Sequence, residues 1–468
     1  MTTIQKDYIN ALLADASYVD LTQGMSKDDL ILELSERMTP TLAAYIAANF
    51  EVASSINSPD IPLLGSGFDA TVWRGKAGTA FAGQVFVSTR GTEPPGVDIW
   101  GADADLATNV AARSQIIDMV NWWLRGSAST TEQARQLLWQ NEIRAADGQI
   151  VQPEGYVLGV PAAGTGELAG VTAVQINGHS LGGHLAAAFA RIFGGNTGIT
   201  GSVDAQGVAT FNSAGFNANA AEPFFQQLQA VLGTGLSNFA AVSARQTNFF
   251  AQNGINVTTN TWWFTQMGSR VGLNQEETTG MGNHSMYRIT DLLALGAALE
   301  KLDPTLTIDK LNELVKAGSH MPAASLEGVF DGLRLMLDPA ATRLTAGDAK
   351  DSDPARKAYH QTLSELQTSP AFTTLVGQLL IRPASADLKA AARNDFSAVV
   401  ALQDLSPFWA TGKDAAADAE LARHWNSTRH TDSAGWIRTG CKHGSTRRRA
   451  LCPAVRKKKS SVETLPFS

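Results

Sequence analysis

The sequence predicts an α/β protein, a mostly parallel central sheet with helices on both faces, followed by an all-helical C-terminal appendage. Three observations carry this expectation. From Ala80 to Gly183, short apolar segments end in glycine-containing loops and flank a stretch of helical period, the order of a parallel sheet. Directly after the last of them, Leu185 to Phe193 (LAAAFARIF) reads as a helix of small apolar residues. Beyond His284 the strand patterns stop and helical spacing continues as far as Leu402.

Taken in order, residues 1–70 form a helical lead-in packed on the α/β unit, since Leu30, Leu32, Leu34 and Met38 followed by Leu42, Ile46 and Phe50 show helical spacing. The α/β unit itself spans 71–302. Its first strand is Phe81 to Ser88 (FAGQVFVS), running into Thr89-Arg90-Gly91-Thr92; Ala112 to Leu124 is an amphipathic helix; Gly148 to Gly170 is a long irregular approach; and Val171 to Ile176 (VTAVQI) runs into Asn177-Gly178-His179-Ser180. Gly207 to Asn212, Arg245 to Phe250 and Arg270 to Leu273 supply further strands, and Thr290 to Leu302 a helix. The region 303–422 is read as all-helical: Thr307 to Ala317, with Thr307 as N-cap, then Leu326 to Leu337, Ala358 to Leu366, Phe372 to Leu380 and Leu388 to Leu402.

Composition bounds the function. A chain of 468 residues, 44% hydrophobic and 17% charged, is a packed protein with one catalytic-sized domain and an added module, which excludes disordered, collagenous and coiled-coil classes. With 37 basic against 44 acidic residues the net charge is −7, which gives no sign of a nucleic-acid partner. The distribution is uneven: Arg423 to Ser468 carries 11 basic and 2 acidic residues, a local +9, leaving −16 on the preceding residues. This basic tail, with turn residues and no apolar period, is expected to be disordered and without a part in catalysis, the alternative being a basic tail for membrane surfaces or nucleic acid. It also holds both cysteines, Cys441 and Cys452, so the body has no disulfide to form. No run of 18 apolar residues occurs, so no transmembrane segment is expected, and the first residues lack the pattern of a secretory signal. The location is expected to be cytoplasmic, or outside the cell by a non-classical route.

Gly178-His179-Ser180-Leu181-Gly182 is a G-x-S-x-G run between a predicted strand and a predicted helix, the context that gives the pattern its meaning. A serine held on such a bend needs small residues two positions to either side, and Gly178 and Gly182 supply that clearance. The bend also puts Ser180 at a helix N-terminus, with the Leu181 N–H aimed at a developing oxyanion, where one donor is worth ~3–4 kcal/mol. The flanking His179 and His184 are packing or hydrogen-bonding residues, because neighbours of a serine on an elbow point away from it. A helix cap is the bland alternative for Ser180.

This segment, with Thr89-Arg90-Gly91-Thr92 at a strand end and the acidic stretch Asp98 to Leu106, resembles the class 3 lipases of the α/β-hydrolase fold. Thr210-Phe211-Asn212-Ser213-Ala214-Gly215-Phe216 and the run from His284-Ser285 to Thr290-Asp291 are similar to a bacterial lipase-like subgroup often fused to calcium-binding repeats. The resemblance covers roughly 80–300. It implies Ser180 as nucleophile, His284 as base, and the N–H groups of Leu181 and Thr92 as the oxyanion hole.

A serine needs a general base within hydrogen-bond reach. Of the histidines after the elbow helix, His284 follows a strand and a glycine-rich loop and opens a helix, whereas His320, His360, His424, His430 and His443 lie in helices or the tail. Four acidic residues lie between Ser180 and His284: Asp204, Glu222, Glu276 and Glu277. The lipases carry an Asp after the strand at 245–250, where this chain has Ala251-Gln252-Asn253-Gly254; an amide there orients a histidine without stabilising its charge. Glu276, just past a strand, ranks first, with Glu277 and Asp204 as rivals, Asp204 on the wrong side of its strand and Glu222 a solvated helix residue. Trp262-Trp263-Phe264 or the approach at 148–170 rims the pocket, or is simply core and surface. Asp98, Asp103 and Asp105 are read as loop or helix-start acids, and no metal or cofactor is expected. The expected function is hydrolysis of carboxylic esters, acylglycerols by resemblance, at a lipid–water interface or in solution. Phospholipase action and a lipase-like binding module with a degraded triad are the alternatives.

Overall fold

A computed structural model describes residues 3–57, 66–91, 112–195, 198–216, 218–233, 235–236, 239–252, 266–275, 280–318, 325–344, 353–384, 388–393, 398–399, 401 and 406–429. Its centre is a seven-stranded sheet in sequential order: β1 (Phe50–Ile56), β2 (Ala70–Gly75), β3 (Val85–Thr89), β4 (Ala173–His179), β5 (Asp204–Phe211), β6 (Gln246–Ala251) and β7 (Ser269–Leu273). The pairs β1–β2 and β2–β3 are antiparallel, and β3 to β7 run parallel. Every residue of β3 is buried, as is all of β4 after Ala173, the pattern of parallel strands covered on both sides.

One face is covered by α4 (Arg113–Ser127), α5 (Leu181–Phe193) and α6 (Ala218–Leu232). Val174 and Ile176 of β4 point into this layer, where Trp123 meets Phe189 edge-on at 4.7 Å between ring centroids. The other face is covered by α1 (Thr3–Ala16) and by α7 (Met286–Leu302), whose Ala11, Ala14, Ile289 and Leu293 share a core with Phe211 and Phe249. Period-two alternation therefore turns Gln175, Asn177 and His179 toward α1, and the side chain of Asn177 donates to Oδ1 of Asn10 at 3.1 Å. The start of α1 is tied to the end of α7 by Ile4 and Gln5 N–H groups donating to the Glu300 carboxylate at 3.1 and 2.9 Å.

Four expectations are corrected here. Helix α3 (Pro40–Asn49) does not run on through Phe50: β1 begins at that residue, which packs on Phe81 and Phe86 from the sheet. The approach at 148–170 is not irregular throughout, since 133–163 forms a ribbon of antiparallel pairs, Leu137 opposite Leu158 and Trp139 opposite Tyr156. The C-terminal region is not all-helical. After α8 (Ile308–Gly318), α9 (Ser325–Leu337) and α10 (Asp353–Thr368), β8 (Leu379–Pro383) pairs antiparallel with β9 (Phe408–Gly412). Leu379 and Ile381 are buried while Leu380 and Arg382 are not, a two-residue alternation that a short segment hides inside an apparent helical period. Finally α11 (Ala415–Arg429) carries helix past Arg423 into the stretch expected to be disordered, its Ala-rich start favouring propagation. The rest of the tail lies outside the described residues.

Helix α10 is clamped to α7 by one buried carboxylate. Asp291 accepts from Nε and Nη2 of Arg356 at 2.9 and 2.8 Å, and lies 2.8 Å from Nε2 of His360. Burial pushes this carboxyl up, but the guanidinium and the imidazole more than offset it and hold it well below the usual carboxylate range. Among the described residues no helix is long and apolar enough to cross a membrane.

Candidate active site

At the C-terminal end of β4 the chain reverses into α5 within one residue. Ser180 takes φ 57° and ψ −127°, a conformation sparsely populated for any residue with a β-carbon. The crowding predicted around it is present. A β-carbon at Gly178 would strike the Gly182 carbonyl, and one at Gly182 would strike the Thr89 carbonyl. The Thr89 hydroxyl fastens the junction by donating to the Gly182 oxygen at 2.6 Å, while the Ser180 N–H donates to the Phe211 oxygen at 3.0 Å. Leu181 is the first residue of α5, so its N–H belongs to the turn that the helix leaves without intrahelical acceptors.

His284 ends a short helix, Gly280–His284, just before α7. Its Nε2 lies 2.9 Å from Oγ of Ser180. The residue is only 5% exposed, and burial lowers its pKa from the ordinary 6.5 to about 4, so it is neutral at pH 7. Its Nδ1 is buried and has no hydrogen-bond partner among the described residues.

The candidate acids fall in different places. Asp204 pairs with Ala173 at the start of the parallel strands, whereas His179 and Phe211 pair at their far end. Asp204 is thus at the opposite end of the sheet from Ser180, exposed and 3.9 Å from Arg245, and it is not brought to His284. Glu222 bonds Arg191 at 2.8 Å on α5 and α6. Glu276, Glu277, Asn253, Thr92, Trp262, Trp263 and Phe264, with Asp98, Asp103 and Asp105, lie outside the described residues. Gln252 is described, and its backbone N–H donates to the Leu273 oxygen at 2.8 Å.

The two histidines beside the serine have separate environments. His184 stacks on Phe216 at 3.7 Å and lies 3.2 Å from the Gly215 carbonyl, on the α5 face away from His284. Burial lowers its pKa to about 4. His179 faces the other way, with Nε2 2.7 Å from the His284 carbonyl oxygen and Nδ1 2.7 Å from the Tyr18 hydroxyl. Sequence reasoning missed Tyr18, which follows α1, and Asn212, which follows β5. Asn212 sits at φ 43° and its amide donates to the carbonyls of Asn283 and His284 at 2.8 and 3.3 Å. Its signal was available: asparagine tolerates the left-handed region better than other side chains do, and here it stands between a strand and a run of small residues. Arg90, in the strand-end motif, donates to Asp20 at 2.8 Å and lies 3.4 Å from Asp69, so the lead-in also braces the loop beside the serine. Among the described residues no group of three or more His, Cys, Asp or Glu side chains is arranged to hold a metal ion.

Comparison with known proteins adds little. No family model matches the chain, and no curated protein does. Among solved structures, the crystal structure of Lip2 lipase from Yarrowia lipolytica is similar at 14% identity over 58% of this chain and 78% of that chain, with a TM-score of 0.28. That degree of similarity carries no inference about chemistry.

Proposed function

We propose that the protein is a serine hydrolase of carboxylic esters. The observation that carries this reading is the 2.9 Å separation of Ser180 Oγ and His284 Nε2, with the serine on a strained strand-to-helix bend. A neutral imidazole at that distance accepts the hydroxyl proton as Oγ attacks the ester carbonyl. The Leu181 N–H, and by resemblance that of Thr92, then stabilises the oxyanion. Collapse of the tetrahedral intermediate expels the alcohol, which takes the proton from His284. Water, deprotonated by the same ring, releases the acid from the acyl-serine. Glu276 is the first choice for the carboxylate at Nδ1 and Glu277 the second, both a few residues before His284. Acylglycerols are the proposed substrate class, from the resemblance of the elbow and strand-end motifs to class 3 lipases, with phospholipids as the competing class.

Ser180→Ala should abolish hydrolysis of p-nitrophenyl butyrate without altering the circular dichroism spectrum, and unchanged turnover would discard the reading. The buried Nδ1 without a partner among the described residues favours one second reading, a lipase-like binding module. A fluorophosphonate probe separates the two: an activated serine labels within minutes at Ser180, a decayed site does not.

A further inference from the structure

Three hydrogen bonds run in series from the lead-in to the serine. A carbonyl oxygen only accepts, so Nε2 of His179, 2.7 Å from the oxygen of His284, carries the proton. Nδ1 of His179 is then a lone pair, and the Tyr18 O–H donates to it at 2.7 Å. The third bond joins His284 Nε2 to Ser180 Oγ. We infer that Tyr18 and His179 are positioning residues: Tyr18 fixes one tautomer of His179, which in turn holds the backbone of His284 so that its ring stays on Ser180. This rests on the reading of Ser180 and His284 as nucleophile and base.

The surroundings support the role. Nothing among the described residues grips the His284 ring at Nδ1, so its orientation depends on its main chain and on the His179 ring packed against it at 4.7 Å between centroids. The same His284 carbonyl receives a second donor from Asn212, itself anchored by the Ala251 N–H at 3.1 Å. The carbonyl is therefore clamped from the ends of β4 and β5, both rigid elements of the sheet. Burial, and then the neighbouring His284 and Arg37, keep the His179 pKa well below its ordinary value while the His284 carbonyl opposes the shift. A doubly protonated ring would no longer accept from the Tyr18 O–H. Tyr18 is buried, with the Arg37 guanidinium 4.1 Å from its ring centre, and a β-carbon at Gly91 would come within 2.6 Å of its hydroxyl.

The test compares Tyr18→Phe, His179→Gln and His179→Leu with p-nitrophenyl butyrate. Gln carries an amide nitrogen near the place of Nε2, whereas Leu offers no donor. We expect kcat to fall about tenfold in Tyr18→Phe and about a hundredfold in His179→Leu, with KM within about twofold, because a displaced base costs turnover and not binding. His179→Gln should recover most of the loss. Equal losses in the Gln and Leu variants, or a Tyr18→Phe kcat within twofold of wild type, would overturn the inference while Ser180 still labels. Tyr18→Phe deletes one oxygen, so it remains usable if the His179 variants fail to fold. Nitrogen-15 NMR of histidine-labelled wild-type protein must also show His179 protonated at Nε2 alone; the other tautomer overturns the inference whatever the activity. A wild type in which Ser180 neither labels nor turns over removes the proposed reaction, and the positioning role with it.

Discussion

The acid limb of the pH profile tests the electrostatics of the site most directly. Only neutral His284 accepts the serine proton, so activity must be lost as pH falls through its pKa. Burial sets that value at about 4 in place of 6.5, a difference of ~3 kcal/mol in favour of the neutral ring. Plotted against pH, kcat/KM reports the free protein. In a stopped p-nitrophenyl butyrate assay, burial acting alone would keep it level from pH 8 to about 5 and put half its plateau near 4, provided activity returns when the sample is restored to pH 7. The proposed carboxylate at Nδ1 opposes burial and should move the half-maximal point up to about 6 or above, and a point near 4 would refute that carboxylate. Where the point is so raised, Glu276→Gln and Glu277→Gln separate the candidates, since removing the true partner returns the limb toward 4.

Ser180→Gly should abolish hydrolysis and yet stabilise the fold by ~0.5–2 kcal/mol in urea, because glycine adopts φ 57° without strain; equal or lower stability would show the bend to be relaxed. Gly182→Ala puts a methyl group into the Thr89 main chain, which no rotamer relieves, so we expect loss of Ser180 labelling by a fluorophosphonate, and a wild-type labelling rate would contradict the crowding argument. Asp291→Ala leaves Arg356 buried without its carboxylate and should cost ~3–5 kcal/mol in chemical denaturation; a loss under about 1 kcal/mol would mean the clamp carries no weight.

The junction at 178–182 was legible because its signals are local: glycines where clearance is needed, an apolar strand before, small residues after. The proximity of His284 to Ser180 was legible by elimination, since every other histidine downstream of α5 falls in predicted helix or tail. Elements set by distant partners were not legible. Phe50 continues the spacing of Leu42 and Ile46, and only its contacts with Phe81 and Phe86 show it to be the first residue of a strand. The ribbon at 133–163 uses strands of two to four residues, too short for alternation to register. Tyr18 and Asn212 meet His179 and His284 across 161 and 72 residues, and no spacing rule spans such gaps.

Helix α1 is built into the middle of the molecule, against the sheet and α7. Ile4 finds its acceptor on Glu300, 296 residues later, and at ~5–20 residues per second of synthesis that partner emerges about 15–60 s afterwards. Throughout that interval Ile4, Ala11 and Ala14, the side of α1 that packs on α7, lack that cover, so chaperone capture during translation, and slow closure of α7 over this helix, are built into the order in which this polypeptide is made.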